Sequence, residues 1–387
     1  MGGKVKTKRV ALCSLSGYDI ISNPVMNMAM YLAGQGYDVD LLGIFSGKFQ
    51  MPNFKNLNIH VHLDEIPQSK IPCSNFLKMF LYSRKKCSNN DYSFFVGFDP
   101  GGLKLASILA FLAHKPFVYH SLEIVSRNEI RRPAQWGRKW IEKILSRRAL
   151  LCLTQDDMRA KILARENGID EGKIAVVHNA PMGRPLTERS RFLRDKFGIP
   201  DDKKIILLAG SLISEHMALD IVESAAHWPD ELILVMHGWF SNQDDEKKIR
   251  LAVSRNSRKI FISDEILPFE RKYEIFQSAD VGLAFYRPVN LNLEYVGLAA
   301  GKIFDFMRCG VPVITNNLPG MKEFVVDSGA GIAIPSPTDI PSAVAEIKSK
   351  NNIFSSAAVK CFLNYEYTRS CSVVISEIEN MLKSKNL

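Results

Sequence analysis

The chain alternates predicted strands and helices along its whole length, and this alternation starts again near residue 203. The first half contains short apolar strands such as RVALCSL and PFVYHS, and the second half opens with KKIILLAGSL. Parallel strands need a crossover connection, usually a helix, so this order predicts parallel sheets covered by helices. The sequence therefore predicts an α/β fold built from two Rossmann-like domains.

The length and the placement of polar residues predict where the domains divide. A chain of 387 residues is long enough for two domains of ordinary size. The polar stretch 182–202 should join an N-terminal domain at 1–185 to a second domain at 186–365, and 366–387 should form a helix that packs back toward the first. Two such domains facing each other leave a ligand cleft at the carboxyl ends of their strands.

Composition and cysteine use favour a cytoplasmic protein. The hydrophobic content of 46% and the charged content of 24% are typical of soluble globular proteins. The seven cysteines include no C-x-x-C pair, which fits a reducing compartment better than a disulfide framework or a zinc site. The chain starts with a basic segment rather than a signal peptide, and its longest apolar run, from Leu103, is too short to span a bilayer. We therefore expect any contact with the inner face of a membrane to be peripheral.

Positive charge is concentrated in one predicted helix. Between Arg127 and Arg148 there are eight basic and two acidic residues, against a net charge of +9 for the chain. Tryptophan among lysine and arginine suits an anionic membrane surface or the diphosphate of a lipid-linked acceptor. The alternative is a solvated helix whose tryptophans pack into the core. No aromatic-rich RNA module accompanies the charge, so nucleic acid is not an expected partner. The residues assigned to this surface are Arg131, Arg132, Trp136, Arg138, Lys139, Trp140 and Lys143.

One stretch, LEYVGLAAGKIFDFMRCGVPVITN, has the residues that a nucleotide-sugar requires. It predicts a helix at about 301–308, a Cys-Gly stop and a buried strand. Lys302 lies at the helix start, where free N–H groups already attract anions, so it adds a full positive charge for a phosphate. Asp305 follows three residues later, on the same predicted face, where a carboxylate can accept hydrogen bonds from sugar hydroxyls.

The same stretch resembles the donor-site signature of retaining glycosyltransferases of family 4, which have the GT-B fold. The segment FDFMRCGVPVI matches the second half of that signature, with Asp305 in place of the usual second Glu. Lys302 matches the lysine of one branch of the family. The first Glu of the usual pattern falls on Gly297, and the nearest carboxylate is Glu294.

The resemblance extends over most of the chain. The segment KPFVYHSLEIV is similar to a family segment in which Glu123 matches a Glu, while His120 stands at an Asp or, in another register, at the family His. The segment AGSLISEHMALDI is similar to the first element of the donor domain. The family often has Arg and Lys there, whereas this chain has Ser211 and His216.

The resemblance and the strand-end positions together give the predicted site residues. His237 and Gly238 end a strand, and the glycine should let the backbone approach the nucleotide closely. The predicted catalytic residues are Lys302, Glu294, Glu123 and His120. The predicted donor-binding residues are Gly210, Ser211, His216, His237, Gly238, Arg287, Gly301, Lys302 and Asp305.

The resemblance implies an activity. It implies transfer of a sugar, with retention of anomeric configuration, from a nucleotide-sugar to a glycan or lipid-linked glycan in surface polysaccharide or glycolipid biosynthesis. A UDP-sugar is the favoured donor and a GDP-sugar the next. Neither half contains GxGxxG or a Walker A sequence, and no Asp-x-Asp lies at a strand end, so we expect no cofactor and no metal.

Two alternatives remain open from the sequence. A sugar-nucleotide epimerase can share the architecture. A non-catalytic nucleotide-sugar-binding subunit is the other, because Ser211, His216 and Gly297 replace functional residue types.

Overall fold

A computed structural model describes residues 8–15, 22–44, 51–54, 57–64, 72–88 and 90–385. The basic start of the chain, at 1–7, lies outside the described residues. The chain divides into two compact units, the first formed by Met1–His178 with Tyr367–Leu387 and the second by Asn179–Glu366. Residues 179–185, which the sequence assigned to the first domain, therefore belong to the second unit.

Each unit is built on one parallel sheet. The first sheet has the strand order β3-β2-β1-β4-β5-β6-β7, and the second has the order β10-β9-β8-β11-β12-β13. The predicted α/β class with two parallel sheets is confirmed. The strands are β1 (Arg9–Ser14), β2 (Asp38–Ile44), β3 (Ile59–Asp64), β4 (Phe94–Phe98), β5 (Phe117–His120), β6 (Cys152–Thr154), β7 (Ile174–Val176), β8 (Lys204–Ser211), β9 (Leu232–Trp239), β10 (Ile260–Ser263), β11 (Val281–Ala284), β12 (Val313–Asn316) and β13 (Gly331–Ile334).

Helices connect most of these strands, as parallel pairing requires. The predicted C-terminal helix forms and packs against the first helix of the chain within the first unit. The helices are α1 (Asn23–Gly34), α2 (Pro72–Cys87), α3 (Asp99–Leu112), α4 (Pro133–Arg148), α5 (Asp157–Asn167), α6 (Phe192–Phe197), α7 (Ala218–Ala225), α8 (Gln243–Ser254), α9 (Lys272–Gln277), α10 (Leu291–Glu294), α11 (Gly301–Arg308), α12 (Ile340–Ser349), α13 (Asn351–Tyr365) and α14 (Tyr367–Ser384).

Helix α3 lies close against the first sheet because its first turn contains two glycines, Gly101 and Gly102. A Cβ on Gly102 would overlap the carbonyl oxygen of Cys13 in β1, so only glycine allows this approach. The helix is buried along most of its length, as its apolar run predicts. Its last turn is different, since the Phe111 side chain is 77% exposed.

The helix that is predicted to bind a nucleotide-sugar has the predicted bounds. Helix α11 spans Gly301–Arg308, and four of its apolar side chains are buried in the core of the second unit. The helix ends at Cys309, and the next residue, Gly310, has a φ of +65° that favours glycine. The chain then enters the buried strand β12, which pairs in parallel with β11 and β13. This arrangement places the start of α11 near the carboxyl ends of β8 and β11.

Candidate functional site

Lys302 reaches from the first turn of α11 to the carboxyl end of β8. Its Nζ lies 3.5 Å from the position that a Cβ on Gly210 would take, and Gly210 has a φ of +104°. The Nζ also lies 5.2 Å from the ring centroid of Tyr286, which follows β11. Gly210 and the ring of Tyr286 therefore border the space that the ammonium occupies.

The ammonium of Lys302 has no hydrogen-bond partner among the described residues. The stem of the side chain is partly exposed, but the Nζ atom is buried. Burial alone lowers the pKa of this lysine to about 8. A buried ammonium without a counter-charge is unfavourable, so this geometry favours the binding of an anion at this point.

The start of α11 adds backbone donors to the same place. The helix begins after Ala300 with no side-chain cap on its first N–H groups. The preceding turn is fixed by Asn179, whose Nδ2 donates to the carbonyl of Ala299 at 2.7 Å. Uncapped N–H groups beside a lysine form the arrangement that proteins use to hold phosphate.

His216 lies beside Lys302 in this site. Its Nδ1 is 2.8 Å from the carbonyl oxygen of Ser211, and its ring meets the Tyr286 ring edge-on at 5.1 Å. Since a carbonyl only accepts, Nδ1 carries the proton and the Nε2 of the neutral ring is a bare acceptor. Burial first, and then the charge of Lys302, lower the pKa of His216 to about 3. The structure thus brings Gly210, Ser211, His216 and Lys302 together, and their predicted part in donor binding stays a prediction.

The sequence analysis did not identify Tyr286 and Asn316, which are two further residues of this site. Asn316, at the end of β12, accepts from the backbone N–H of Tyr286 at 3.1 Å and donates to its carbonyl at 2.7 Å. These bonds fix the backbone of Tyr286, whose ring then contacts Lys302 and His216. The only available signal was an asparagine at the end of the strand VPVITN, which does not reveal a partner so far away in the chain.

The Asp305 side chain is turned away from the ammonium of Lys302. The Asp305 side chain is buried, accepts a hydrogen bond from the Tyr273 hydroxyl at 2.9 Å, and pairs with Lys272 at 3.3 Å. Three residues advance a helix by about 300°, so the two side chains diverge by roughly 60°. In this case the divergence directs the carboxylate to α9, so Asp305 joins α11 to α9, and its predicted contact with ribose stays a prediction.

The guanidinium of Arg287 is also paired within the second unit. Its guanidinium pairs with both carboxylate oxygens of Asp220, at 2.6 and 2.7 Å, and donates to the carbonyl of Ser214. Its predicted part in donor binding stays a prediction. Because Ser214 begins the turn that carries His216, Arg287 holds that turn against α7.

Glu294 lies in the short helix α10, whose start is capped by the Asn290 side chain. The residue is half-buried, and the described residues provide no hydrogen bond or ion pair to its carboxylate. Gly297, where the family has its first Glu, is buried and faces Gly320. The predicted catalytic role of Glu294 stays a prediction.

His237 and Gly238 lie at the end of β9, as predicted. The structural reason for a glycine at 238 is different from the one that the sequence suggested. A Cβ on Gly238 would overlap the carbonyl oxygen of Gly210, so the glycine permits close approach of β9 to β8 rather than to a nucleotide. The Nδ1 of His237 lies 3.1 Å from the Ser263 hydroxyl. Burial lowers the pKa of His237 to about 4, so its ring is neutral at physiological pH.

In the first unit, His120 ends β5 and is fully enclosed. It is 1% exposed, neither ring nitrogen has a hydrogen-bond partner among the described residues, and burial lowers its pKa to about 3. Its nearest aromatic neighbour is Phe98, with ring centroids 5.2 Å apart. Buried polar groups usually have a hydrogen-bond partner, so this buried imidazole with two unbonded nitrogens is an exception at the carboxyl end of the sheet.

The loop after His120 is held by side chains that the sequence analysis did not identify. Asp99 has a φ of +53°, and one of its carboxylate oxygens accepts from the N–H groups of Leu122 and Glu123 at 2.8 and 2.9 Å. Gln155 also donates to the carbonyl of Leu122. The side chain of Glu123 is exposed and makes no hydrogen bond to the enclosed His120.

The tryptophans of α4 are on the surface. Trp136 is 50% exposed and Trp140 is 66% exposed, so the alternative in which they pack into the core is wrong. Lys139, by contrast, is buried and pairs with Glu142 at 3.2 Å, which removes it from the predicted surface. The residues that remain exposed or partly exposed there are Arg131, Arg132, Trp136, Arg138, Trp140 and Lys143.

The described ranges of the chain lack the features of a metal site and of a membrane-spanning helix. Within those ranges, no cluster of three or more His, Cys, Asp or Glu side chains could hold a metal ion. No helix there combines the length and the apolar character needed to cross a membrane.

The chain is similar to known glycosyltransferases. Residues 189–352 match the model of the family described as glycosyl transferases group 1. The chain is 23% identical over 227 residues to a chitobiosyldiphosphodolichol beta-mannosyltransferase of Candida albicans, covering 54% of this chain and 47% of that protein. It is 27% identical over 199 residues to a D-inositol 3-phosphate glycosyltransferase of Xylanimonas cellulosilytica, covering 48% and 44%. It spans about half the length of these curated relatives.

The solved structure of HepE from Anabaena, in complex with UDP and glucose, has the same fold. The TM-score is 0.71 at 15% identity, and the match covers 97% of this chain and 100% of that one. The predicted GT-B fold is confirmed. The residues that match the glycosyl transferases group 1 model lie within the second unit and include Lys302.

Proposed function

We propose that this chain is a glycosyltransferase that moves a sugar from a nucleotide-sugar to an acceptor hydroxyl, with retention of configuration. The observation that carries the proposal is Lys302, whose buried Nζ has no partner among the described residues and lies beside the uncapped start of α11. The family match over 189–352 supports the same reading. Membership of family 4 and retention rest on the resemblance of the donor signature.

The chemistry follows from the charge that develops during transfer. As the bond from the sugar to the diphosphate breaks, negative charge accumulates on the leaving phosphate. A fixed ammonium and backbone N–H groups stabilise that charge without rearrangement. In a front-face displacement, the leaving diphosphate helps to deprotonate the attacking hydroxyl. Lys302 can supply the positive charge that a metal provides elsewhere, so we propose a metal-independent reaction without a cofactor.

We also propose the chemical classes to which the donor and the acceptor belong. We favour a UDP-sugar, because the solved HepE complex contains UDP and glucose, and a GDP-sugar is the next choice. We propose a glycan or lipid-linked acceptor in surface polysaccharide or glycolipid biosynthesis. The name of the Candida albicans relative, which includes a diphosphodolichol, supports the lipid-linked class. Work on such an acceptor fits a cytoplasmic protein that is peripheral on the inner face of an anionic membrane.

Three further residues keep the roles that the sequence assigned to them. We propose that His120 and Glu123 orient the acceptor or the donor sugar, since both lie at the carboxyl end of β5 or just beyond it. We propose that Glu294 contacts the donor sugar, because α10 precedes the turn that leads to Lys302.

Nucleotide binding tests the proposal most directly. Calorimetry with a panel of nucleoside diphosphates and nucleotide-sugars, in the presence of EDTA, should show binding of one base series. Lys302→Ala should abolish that binding, whereas Lys322→Ala should not, because Lys322 is an exposed lysine whose side chain is 77% accessible. Absence of binding across the panel would contradict the donor site.

Incubation with the donor alone distinguishes a transferase from a sugar-nucleotide epimerase. A transferase should leave the bound sugar unchanged until an acceptor is supplied. Formation of an epimer without an acceptor would contradict transfer. Anomeric configuration of the product, read by NMR, tests retention separately from donor binding.

A further inference from the structure

Helices α2, α3 and α4 lie side by side on one side of the first sheet. Met79 of α2 and Leu105 of α3 share a core cluster with the sheet residue Phe95. The ammonium of Lys104 in α3 lies 3.9 Å from the ring centroid of Phe76 in α2, and α3 packs directly on α4. The outer sides of the three helices therefore form one continuous surface, which we call the three-helix face.

Each helix of the three-helix face exposes large apolar side chains. On α2 and α4 these come as two residues one turn apart, and on α3 two adjoin at its end. Side chains four residues apart lie on the same side of a helix, so both members of such a pair can enter one apolar phase. The exposed fractions are 55% for Leu77, 53% for Leu81, 77% for Phe111, 47% for Leu112, 50% for Trp136 and 66% for Trp140.

The charges on the same helices have one sign. Helix α2 contains no acidic residue, and the only acidic residue of α4, Glu142, is buried against Lys139. In α3, Asp99 is turned to the loop after β5. No described carboxylate of these helices therefore opposes the exposed cations. Those cations are Lys78, Arg84, Lys85, Lys86, Arg138, Arg147 and Arg148.

We infer that the three-helix face is a docking surface for an anionic lipid bilayer, with Leu77, Leu81, Phe111, Trp136 and Trp140 entering the interface among the lipid headgroups. Apolar side chains that enter the headgroup region and cations that pair with anionic lipids reinforce one another. A protein partner would be expected to meet some carboxylates and a continuous apolar patch. Here helices α2 and α4 each carry an exposed apolar pair together with exposed cations. The inference deepens the proposed function, since it assigns the membrane contact to three helices rather than to α4 alone.

Flotation with vesicles tests the inference. The wild-type chain should float with vesicles that contain phosphatidylglycerol and should not float with phosphatidylcholine vesicles. The double variant Leu77→Ser with Leu81→Ser should lower the partition coefficient by roughly tenfold or more, because two apolar side chains are lost. A matched control is Leu251→Ser with Ile353→Ser, since both residues are exposed, at 56% and 68%, in the second unit. That control should bind vesicles as the wild type does.

The charge of the face is tested in the same assay. Lys85→Gln should weaken vesicle binding by about fivefold at low ionic strength, and the effect should shrink at high salt. Emission of Trp136 and Trp140, which belong to the same face, should shift to shorter wavelength on anionic vesicles.

Three results would overturn the inference. They are full vesicle binding by the Leu77/Leu81 double variant, equal binding to neutral vesicles, and no binding by the wild type. Full binding by the double variant would leave α4 as the docking element. Transfer to a soluble acceptor analogue, measured on the same preparations, separates failure of the docking surface from failure of the proposed activity.

Discussion

The ammonium of Lys302 lies 3.5 Å from the point where Gly210 would carry a side chain. Lys302 comes from the start of α11 and Gly210 from the end of β8, so two elements far apart in the chain define one small space. Gly210 has a φ of +104°, which other residues rarely adopt, and a Cβ there would be in ordinary van der Waals contact with Lys302. The backbone conformation of β8 at Gly210 therefore affects where the ammonium of Lys302 lies.

Gly210→Ala should reduce both stability and donor affinity. The alanine is strained at this φ by roughly 1–3 kcal/mol, and its methyl group contacts Lys302. Gly198→Ala is the matched control, because Gly198 also has a positive φ of +64° but has open space around it. Both variants should lower the unfolding midpoint, while only Gly210→Ala should weaken nucleoside diphosphate binding in calorimetry. Equal binding by the two variants would contradict the role of the Gly210–Lys302 contact.

Diphosphate affinity should fall as pH rises through about 8. Burial lowers the pKa of Lys302 to about 8 in the free protein, and a bound anion favours the charged form, so binding takes up a proton above that pH. The association constant should then decrease by up to about tenfold per pH unit. Lys302→Arg should bind with little pH dependence over the same range, because arginine stays charged. A flat wild-type profile between pH 7 and 9.5 would contradict this prediction.

Lys302→Met should stabilise the empty protein while it removes binding. The folded-state pKa of Lys302 is about 8 against 10.5 for the ordinary side chain. The burial penalty on its charged form is therefore fully present below pH 8 and disappears as pH rises toward 10.5. Methionine has similar shape and no charge, so the free energy of unfolding at pH 7 should rise by about 1–3 kcal/mol. Denaturant unfolding checks this, with the exposed Lys322→Met as the control and a loss of stability as the contrary result.

Asp99→Ala should loosen the loop that follows β5, whereas Asp99→Asn should not. The side-chain oxygen of Asp99 accepts from two backbone N–H groups, which an asparagine oxygen can also do. Asparagine also tolerates the φ of +53° better than alanine. Asp99→Ala should lose about 2 kcal/mol of stability, since two backbone donors lose their acceptor. Protection of the Leu122 and Glu123 amides from hydrogen exchange should fall in Asp99→Ala alone.

The sequence predicted the elements well and the direction of long side chains poorly. Helix α11 was placed correctly because its apolar spacing and the Cys-Gly stop are local signals. The roles of Asp305 and Arg287 depended on Tyr273 and Asp220, residues far away in the chain. Lys139 was assigned to the surface because nothing local distinguishes a lysine that turns inward to a buried Glu142. Such partners are chosen by the tertiary structure, which a pattern of residue types does not contain.

The unpartnered ammonium of Lys302 has a consequence for turnover under the proposed function. After transfer, the nucleoside diphosphate carries more negative charge than the nucleotide-sugar from which it came. A site whose only described ammonium lacks a partner should hold this product more tightly than the substrate. Product inhibition would then be strong, and departure of the spent nucleotide, rather than formation of the new glycosidic bond, would limit the rate.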